Sequence, residues 1–437
     1  MSLRDHLNTI RQQGELIEVK KPVTKHLALA GLLKALEPSP VLCKEVTDSP
    51  FPVMGNLMCT KENFADYLGI PVQAIIPTLI HAIDTHAPPQ VTTAAPCQEV
   101  ILKNPDLDQL PILFHCEGDG GNYISSGVMI ARHPQFGQNL DFHRCMQFSK
   151  TEMAVRVVKG RNFDAFLQDL GQVDVAICVG VAPNILIAGA TSVEIGLNEL
   201  EIANALEPFE VVKAYTSDLL IPAQAEFVIE GTVYRDRRHA EGPFVDLTET
   251  QDVVRQEPVL QVKCITHRHD ALWHALLPGG LEHKLLMGMP REPTIFREVS
   301  QVVQCLDVNI NPGGCSWLHA IVQIQKINPD DGCKAIEAAH RGHSSCKHIF
   351  VVDQDIDIYD PLSVEWAMAT RFQADRDLVM LGRERGSSLD PSAQPETYET
   401  CKVGFDLTAP LDSGGKNFDK VPFPEVDVER YLESGES

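Results

Sequence analysis

The middle of the chain constrains the fold most, because it strings together segments that read as strands. "YISSGVMIARHP", "CMQFSK", "AVRVVKG", "DVAICVGV", "AEFVIEGTVY" and "VLQVKCITHRHD" are rich in Val, Ile and aromatic residues, and polar or Gly-containing turns separate them. Side chains branched at Cβ fit a pleated surface and crowd a helical turn. Two helices interrupt the series, at "NFDAFLQDL" and "SVEIGLNELEIANAL". Many strands with few helices predict a barrel-like β domain over residues 98–300.

The flanks have another texture. Within residues 1–97, "HLALAGLLKAL" has the apolar spacing of a helix, while "PVLCKEV" and "FPVMGNL" are short strands bounded by prolines. The proline- and threonine-rich "THAPPQVTTAAPCQEV" reads as a connector. Within 301–437, "SWLHAIVQIQK" and "HIFVVDQDID" are near-continuous apolar runs, as in strands buried on both faces. "DGCKAIEAAHRGHSS" and "SVEWAMATRFQ" are helical, and "DVERYLESG" predicts a terminal helix. The expected class is α/β (α+β): an N-terminal α/β region, a central β domain and a C-terminal α/β domain.

Charge narrows the partners. With 60 acids against 37 bases the formal net charge is −23, so no basic surplus exists to neutralise nucleic acid or an anionic membrane. No apolar run approaches the ~20 residues of a membrane span, and "MSLRDHLNTIRQQGELIEV" reads as an amphipathic helix and a strand rather than a signal peptide. The 12 cysteines are scattered singly without a C-x-x-C, which argues against a zinc ribbon or a disulfide framework and for reduced, mostly core thiols of a cytoplasmic protein.

Four stretches could carry chemistry. In "QNLDFHRCMQ", Asn139, Asp141 and His143 share one face of a strand and Arg144 takes the other. An Asn carbonyl suits a hard cation, and an Arg beside an acid holds it ionised; a mixed surface strand is the plainer reading. The helix over 194–206 presents Glu194, Glu199 and Glu201, as cation ligands or as a solvated acidic face. In "RRHAEGPFVDLTET", Glu241 and Asp246 lie on opposite faces of a straight strand, but the Gly242–Pro243 turn could bring both to one cavity. Paired acids push their proton affinities apart, which lets one act as a donor; a solvated hairpin tip is the alternative. In "LPGGLEHKLLMGMPREPTIF", His283 and Arg291 flank an apolar run, as a carboxylate fork over an apolar floor or as a plain loop. No Walker A, G-x-G-x-x-G or H-E-x-x-H motif occurs.

Taken in order, "LRDHLNTIRQQGELIEV", "QNLDFHR", "LNELEIANAL", "EVVKAYTSDLLIPAQAEFVIEG", "EGPFVD", "GGCSWLHAIVQIQK", "VVDQDIDIYDPLSVEWAMATR" and "KVGFDLTAP" resemble the UbiD family of reversible decarboxylases. The resemblance spans nearly the whole chain. It implies a central split β-barrel that binds prenylated FMN, a C-terminal domain used in oligomerisation, and a homodimer or homohexamer. The implied reaction is reversible, non-oxidative decarboxylation through a covalent adduct with prenylated FMN, releasing CO2, with a flavin prenyltransferase as supplier of the cofactor.

Carried over by residue, the catalytic network corresponds to Arg144, Glu241 and Asp246, with Asp246 as proton donor. Asn139 and Glu199 correspond to ligands of Mn2+ or Mg2+, with K+ as an optional further cation. Asn162 stands where many members have a His ligand. Flavin contacts are implied at Phe142, His143, Arg144, Ala190 and Thr191, besides Glu199. His283 and Arg291 have the eight-residue spacing of the branch acting on furan dicarboxylates, which implies a furan, pyrrole or indole acid; phenolic acids come next. An FMN-binding split-barrel oxidoreductase and a non-catalytic paralogue are the other readings.

Overall fold

The computed structural model describes residues 1–412 and 414–432. At its centre is a nine-stranded sheet in which every neighbouring pair runs antiparallel. Across the sheet come Asn122–Ile124, Cys145–Gln147, Glu152–Val155, Arg255–His267, Phe227–Glu241, Gln172–Val179, Val128–His133 and Gly137–Phe142. Val100–Leu102 adds beside Arg255–His267.

Antiparallel sheets commonly leave one face in water and then alternate apolar with polar residues. Here both faces are covered. In Gln172–Val179, Val175, Ile177 and Val179 enter one core cluster, while Ala176 and Cys178 enter a second. Met129 and Ala131 separate from Val128 and Ile130 in the same way. That double burial is why these strands read as continuous apolar runs. Each buried Val or Ile contributes about 1.5–3 kcal/mol, so the central sheet is held from both sides.

Two irregularities bend the long hairpin of Phe227–Glu241 and Arg255–His267. Its register shifts between Glu230 and Gly231 and again between Tyr234 and Arg238. A Cβ on Gly231 would lie 2.3 Å from the Gln261 carbonyl oxygen, so the strands close there only on glycine. Pro258, which has no N–H for a ladder, faces Arg238 at the second shift. Unpaired residues on one strand raise local twist and curl the sheet. The hairpin ends with Glu241 opposite Arg255, and the Glu241 carboxylate meets Arg144 there.

Ile17–Val19, Val41–Cys43 and Val53–Gly55 form a small sheet completed by Trp273–His274, where the chain returns from the central sheet. That return leads into the helix Leu281–Gly288. Glu37, just after the helix Ala28–Leu36, accepts the Leu281 N–H at 2.7 Å and so caps it. The C-terminal sheet runs Gln304–Ile310, His319–Gln325, His348–Asp353, Glu399–Asp406, Leu378–Arg385, with helices Asp331–Gly342 and Pro361–Arg371 packed nearby.

Some expectations need correction. The helix read over 192–206 begins only at Glu199, because Gly196 has φ +102° and Asn198 caps the N-terminus by accepting the Leu200 N–H. A helix at Pro183–Ala190 went unread, since all its residues but Ala190 are buried and a helix buried on every side has no periodicity to show. The terminal helix is described only over Glu429–Leu432; residues 433–437 lie outside the described residues. All 12 cysteines are unpaired and most are buried. No single helix among the described residues is long and apolar enough to cross a membrane.

Candidate active site

The strand reading of "QNLDFHRCMQ" breaks in the middle. Gly137–Phe142 ends, His143 and Arg144 make a link, and Cys145–Gln147 starts on the other flank of the sheet. Arg144 projects from that link onto three carboxylates. Its Nε and Nη2 donate to Glu241 at 2.8 and 3.1 Å, Nη1 donates to Asp246 at 2.5 Å, and Nη2 also donates to Asp252 at 2.9 Å. Glu241 is fully buried, and the guanidinium stacks 4.6 Å from the centre of the Phe244 ring. The turn at Gly242 (φ +101°) and Pro243 brings Glu241 and Asp246 to one cation.

Asp252 was not singled out in the sequence. It lies on the strand Gln251–Asp252, paired with Phe244–Val245, and it also accepts from Arg255 at 2.5 Å. The two guanidiniums hold its carboxyl below the usual range despite burial, which acts the other way. The loop "HCEGDGG" was missed as well. Asp119, buried there, accepts the N–H groups of Val245 and Cys116, both at 3.1 Å, and Gly120 donates its N–H to the Pro243 carbonyl at 2.7 Å. Burial pushes the Asp119 carboxyl up, while those N–H groups and Arg144 oppose it. A Gly-rich run beside two acids was the only signal for this cradle.

A second cluster gathers Asn139, Asn162 and Glu199. Asn162, at the start of the helix Asn162–Leu170, donates its amide to Asn139 Oδ1 at 3.0 Å. Glu199 opens the helix Glu199–Leu206 and accepts the Leu140 N–H at 2.7 Å. Burial pushes its carboxyl up to about 8, with the Leu140 N–H opposing and Asp141 adding to the rise. Asn139 Nδ2 is buried without a partner, and no cation pairs with Glu199 among the described residues. A buried carboxylate without a cation, beside two amides, fits a hard divalent ion. Ligation through both amide oxygens requires one amide to turn over. No group of three or more His, Cys, Asp or Glu placed to hold a metal ion occurs among the described residues, so the amides are needed to complete a donor set.

The other expected residues fall around these clusters. His143 places Nε2 2.9 Å from Asp141 and Nδ1 2.9 Å from the Arg156 carbonyl. Burial works against its charge, but the Asp141 carboxylate and the Arg156 carbonyl outweigh it and raise its proton affinity. Ala190 and Thr191 end the helix Pro183–Ala190, which approaches Leu140 closely at Gly189; the Thr191 hydroxyl donates to Ile187 at 2.8 Å. Phe142 packs on the second core cluster.

His283 and Arg291 meet different charges. Burial lowers the proton affinity of His283 and nearby Asp246 opposes it, so the imidazole is neutral at pH 7; its Nδ1 accepts the Gly279 N–H at 3.0 Å. Arg291 instead faces Arg161 and Trp317, whose ring centre is 5.3 Å from the guanidinium carbon. Burial and the repulsion of Arg161 bring it down to about 10. Neither Arg161 nor Arg291 pairs with an acid among the described residues, and Arg291 Nε is buried without an acceptor.

Three comparisons bear on this geometry. Family models of the 3-octaprenyl-4-hydroxybenzoate carboxy-lyase match its N-terminal domain at residues 7–83, its Rift-related domain at 90–281 and its C-terminal domain at 284–407. The anhydromevalonate phosphate decarboxylase of Methanothermobacter thermautotrophicus is 39% identical over 422 residues, covering 95% of this chain and 98% of that protein. Its counterpart in Methanocaldococcus jannaschii is 38% identical, covering 92% and 96%. The structure of the UbiD-class enzyme HmfF from Pelotomaculum thermopropionicum with FMN superposes with a TM-score of 0.95 at 34% identity, over 99% of this chain and all of that one. An evolved dimeric form of HmfF with prFMN gives 0.91 at 32% identity, with the same coverage. Three family domains in sequence order, over one continuous fold, settle the relationship: the chain belongs to the UbiD family of carboxy-lyases.

Proposed function

We propose that the protein is a prenylated-FMN-dependent, non-oxidative decarboxylase whose acid substrate carries a second anionic group, phosphate first among the candidates. The observation that carries the reading is Arg144, a cation in the sheet wall shared by Glu241 and Asp246. The oxidoreductase reading is set aside, because the family models are of carboxy-lyases and hydride transfer has no use for such a network.

Loss of CO2 from an sp2 carbon leaves an electron pair that needs a sink, and prenylated FMN, when bound, supplies it. Support for the flavin comes from the related structures, which hold FMN and prFMN. Asn139, Asn162 and Glu199 would hold Mn2+ or Mg2+, and Phe142, His143, Ala190 and Thr191 would flank the flavin. Arg144 offers N–H donors to the carboxylate that will leave. Glu241, gripping Arg144 through both oxygens, fixes the plane of the guanidinium. The bond to the carboxyl carbon breaks, its electron pair stays on the substrate side, and Asp246, having taken a proton from water once off Arg144, delivers it to the carbon in place of CO2.

The second anion is supported by two neighbouring arginines without acid partners among the described residues, Arg291 and Arg161, the latter just before Asn162 in the chain. A phosphate would satisfy both, and the curated relatives are named for a phosphorylated acid. A furan, pyrrole, indole or phenolic acid without phosphate is the second reading. The aromatic pair Phe244 and Tyr123, with ring centres 4.4 Å apart beside Arg144, favours it.

The test is CO2 release from protein co-expressed with a flavin prenyltransferase and given Mn2+, offered anhydromevalonate phosphate and a panel of ring acids. Release from the phosphorylated acid is expected. Arg291→Met should raise its KM by about 100-fold, a lost buried charge contact being worth about 2–5 kcal/mol. Release only from unphosphorylated ring acids moves the substrate to the second reading, and release from none refutes the function.

A further inference from the structure

We propose that Asp252 is a positioning residue for Arg144, holding the guanidinium in place while Asp246 leaves it. The proposal rests on the roles given above to Arg144 and Asp246. A guanidinium has five N–H donors. In Arg144, Nε and Nη2 are taken by Glu241, Nη2 also by Asp252, and Nη1 by Asp246. That takes four of the five, and the fifth is the second N–H of Nη1, so a substrate carboxylate docks on Arg144 at Nη1, beside Asp246, and gains the whole Nη1 edge only when Asp246 moves off.

Asp246 is the acid able to leave. It touches Arg144 through one oxygen, and its other oxygen accepts the Leu247 N–H at 2.7 Å. Glu241 is fully buried and bidentate. Asp252 is bound to two guanidiniums, Arg144 at 2.9 Å and Arg255 at 2.5 Å. Once Asp246 swings off, Glu241 and Asp252 still grip the Nε and Nη2 side, so the vacated Nη1 edge stays aimed at the substrate.

Charge sets the second half of the role. Three carboxylates around two guanidiniums leave one negative charge uncompensated, which repels an arriving carboxylate and favours the departure of Asp246. Without the Asp252 charge, the substrate anion binds more tightly. Asp246 then has less reason to leave, and Arg144 is less well fixed. KM and kcat should fall together. Without Arg255, the Asp252 charge is unscreened and KM should rise. Two unit charges several ångströms apart, at an effective dielectric near 20, interact strongly enough for a change of about tenfold in each case.

The experiment is steady-state decarboxylation of anhydromevalonate phosphate, or of the panel acid that the wild type prefers, by flavin-loaded variants whose flavin content is checked by mass. Asp252→Asn should lower KM and kcat about tenfold each with flavin content unchanged. Asp252→Glu should restore most of both, and Arg255→Gln should raise KM. An Asp252→Asn enzyme with wild-type constants, or with a lower kcat at unchanged KM, overturns the proposal. If Asp252→Asn does not fold, the two remaining variants decide: KM moving the same way in both, or in neither, overturns it. A wild type that releases CO2 from no acid, or an Arg144→Ala enzyme that keeps full turnover, instead refutes the functional reading beneath it.

Discussion

Gly120 sits far in sequence from the acids it supports, and replacing it with alanine separates turn geometry from acid chemistry. Its N–H is bonded to the Pro243 carbonyl, and a Cβ there would lie 2.1 Å from the Gly242 oxygen and 2.6 Å from the Gly242 carbonyl carbon. The Gly120 backbone is not in the left-handed region, so alanine is acceptable in conformation and harmful only by contact. The obstacle is main chain, which cannot rotate aside. The Gly242–Pro243 turn has to retreat by roughly 1 Å or more to restore contact distance, and Val253 closes off part of its path, with its oxygen 2.9 Å from a Cβ position on Gly242. Glu241 and Asp246 flank that turn. A misplacement of about 1 Å costs on the order of 100-fold in rate, and overpacking of this kind costs about 1–3 kcal/mol in stability. Gly120→Ala should therefore fold, retain its flavin by mass, unfold at a lower temperature, and release CO2 about 100-fold more slowly. Gly31→Ala, where a Cβ meets nothing within 4 Å, is the control and should leave turnover unchanged. A folded Gly120→Ala enzyme with wild-type turnover would refute the claim that the turn positions the acids.

Glu241→Gln should lower turnover by about 100- to 10,000-fold while flavin mass stays unchanged; loss of flavin instead would make Glu241 a cofactor residue. Glu199→Gln should lose Mn2+ and flavin together, read by metal analysis and absorption. The Glu199 carboxyl stands at about 8 without a cation, and Mn2+ needs it ionised. Protons therefore compete below that value, and apparent Mn2+ affinity should rise about tenfold per pH unit from pH 6 towards 8 and then level off. Calorimetry showing pH-independent affinity over that range would contradict it. Gly231→Ala places a Cβ 2.3 Å from the Gln261 oxygen and should destabilise the central sheet by more than about 2 kcal/mol in thermal unfolding.

Much of this was legible in the sequence where local chemistry decides. Val-rich runs became the central strands, "NFDAFLQDL" became a helix over Asn162–Leu170, and the acids around Gly242–Pro243 met at Arg144. What escaped was set by contacts distant in sequence. Asp252 matters because a two-stranded hairpin folds it back onto Arg144, and nothing in "TETQDVV" announces that return. Asp119 and Gly120 matter because their loop lies against Pro243 and Val245. The helix Pro183–Ala190 escaped because burial on every side removes the polar face that periodicity detects. The eight-residue spacing of His283 and Arg291 does not tell which charges each meets: one feels Asp246 and the other Arg161.

The central claim is that Arg144, with Glu241 and Asp246, is where the carboxylate is bound and replaced by a proton. The most direct measurement is CO2 release by wild-type and Arg144→Ala protein, both co-expressed with a flavin prenyltransferase, supplied with Mn2+ and matched for prenylated FMN by intact mass. The account predicts release from anhydromevalonate phosphate by the wild type and none above background by Arg144→Ala at equal flavin content. Equal release by the two would contradict it.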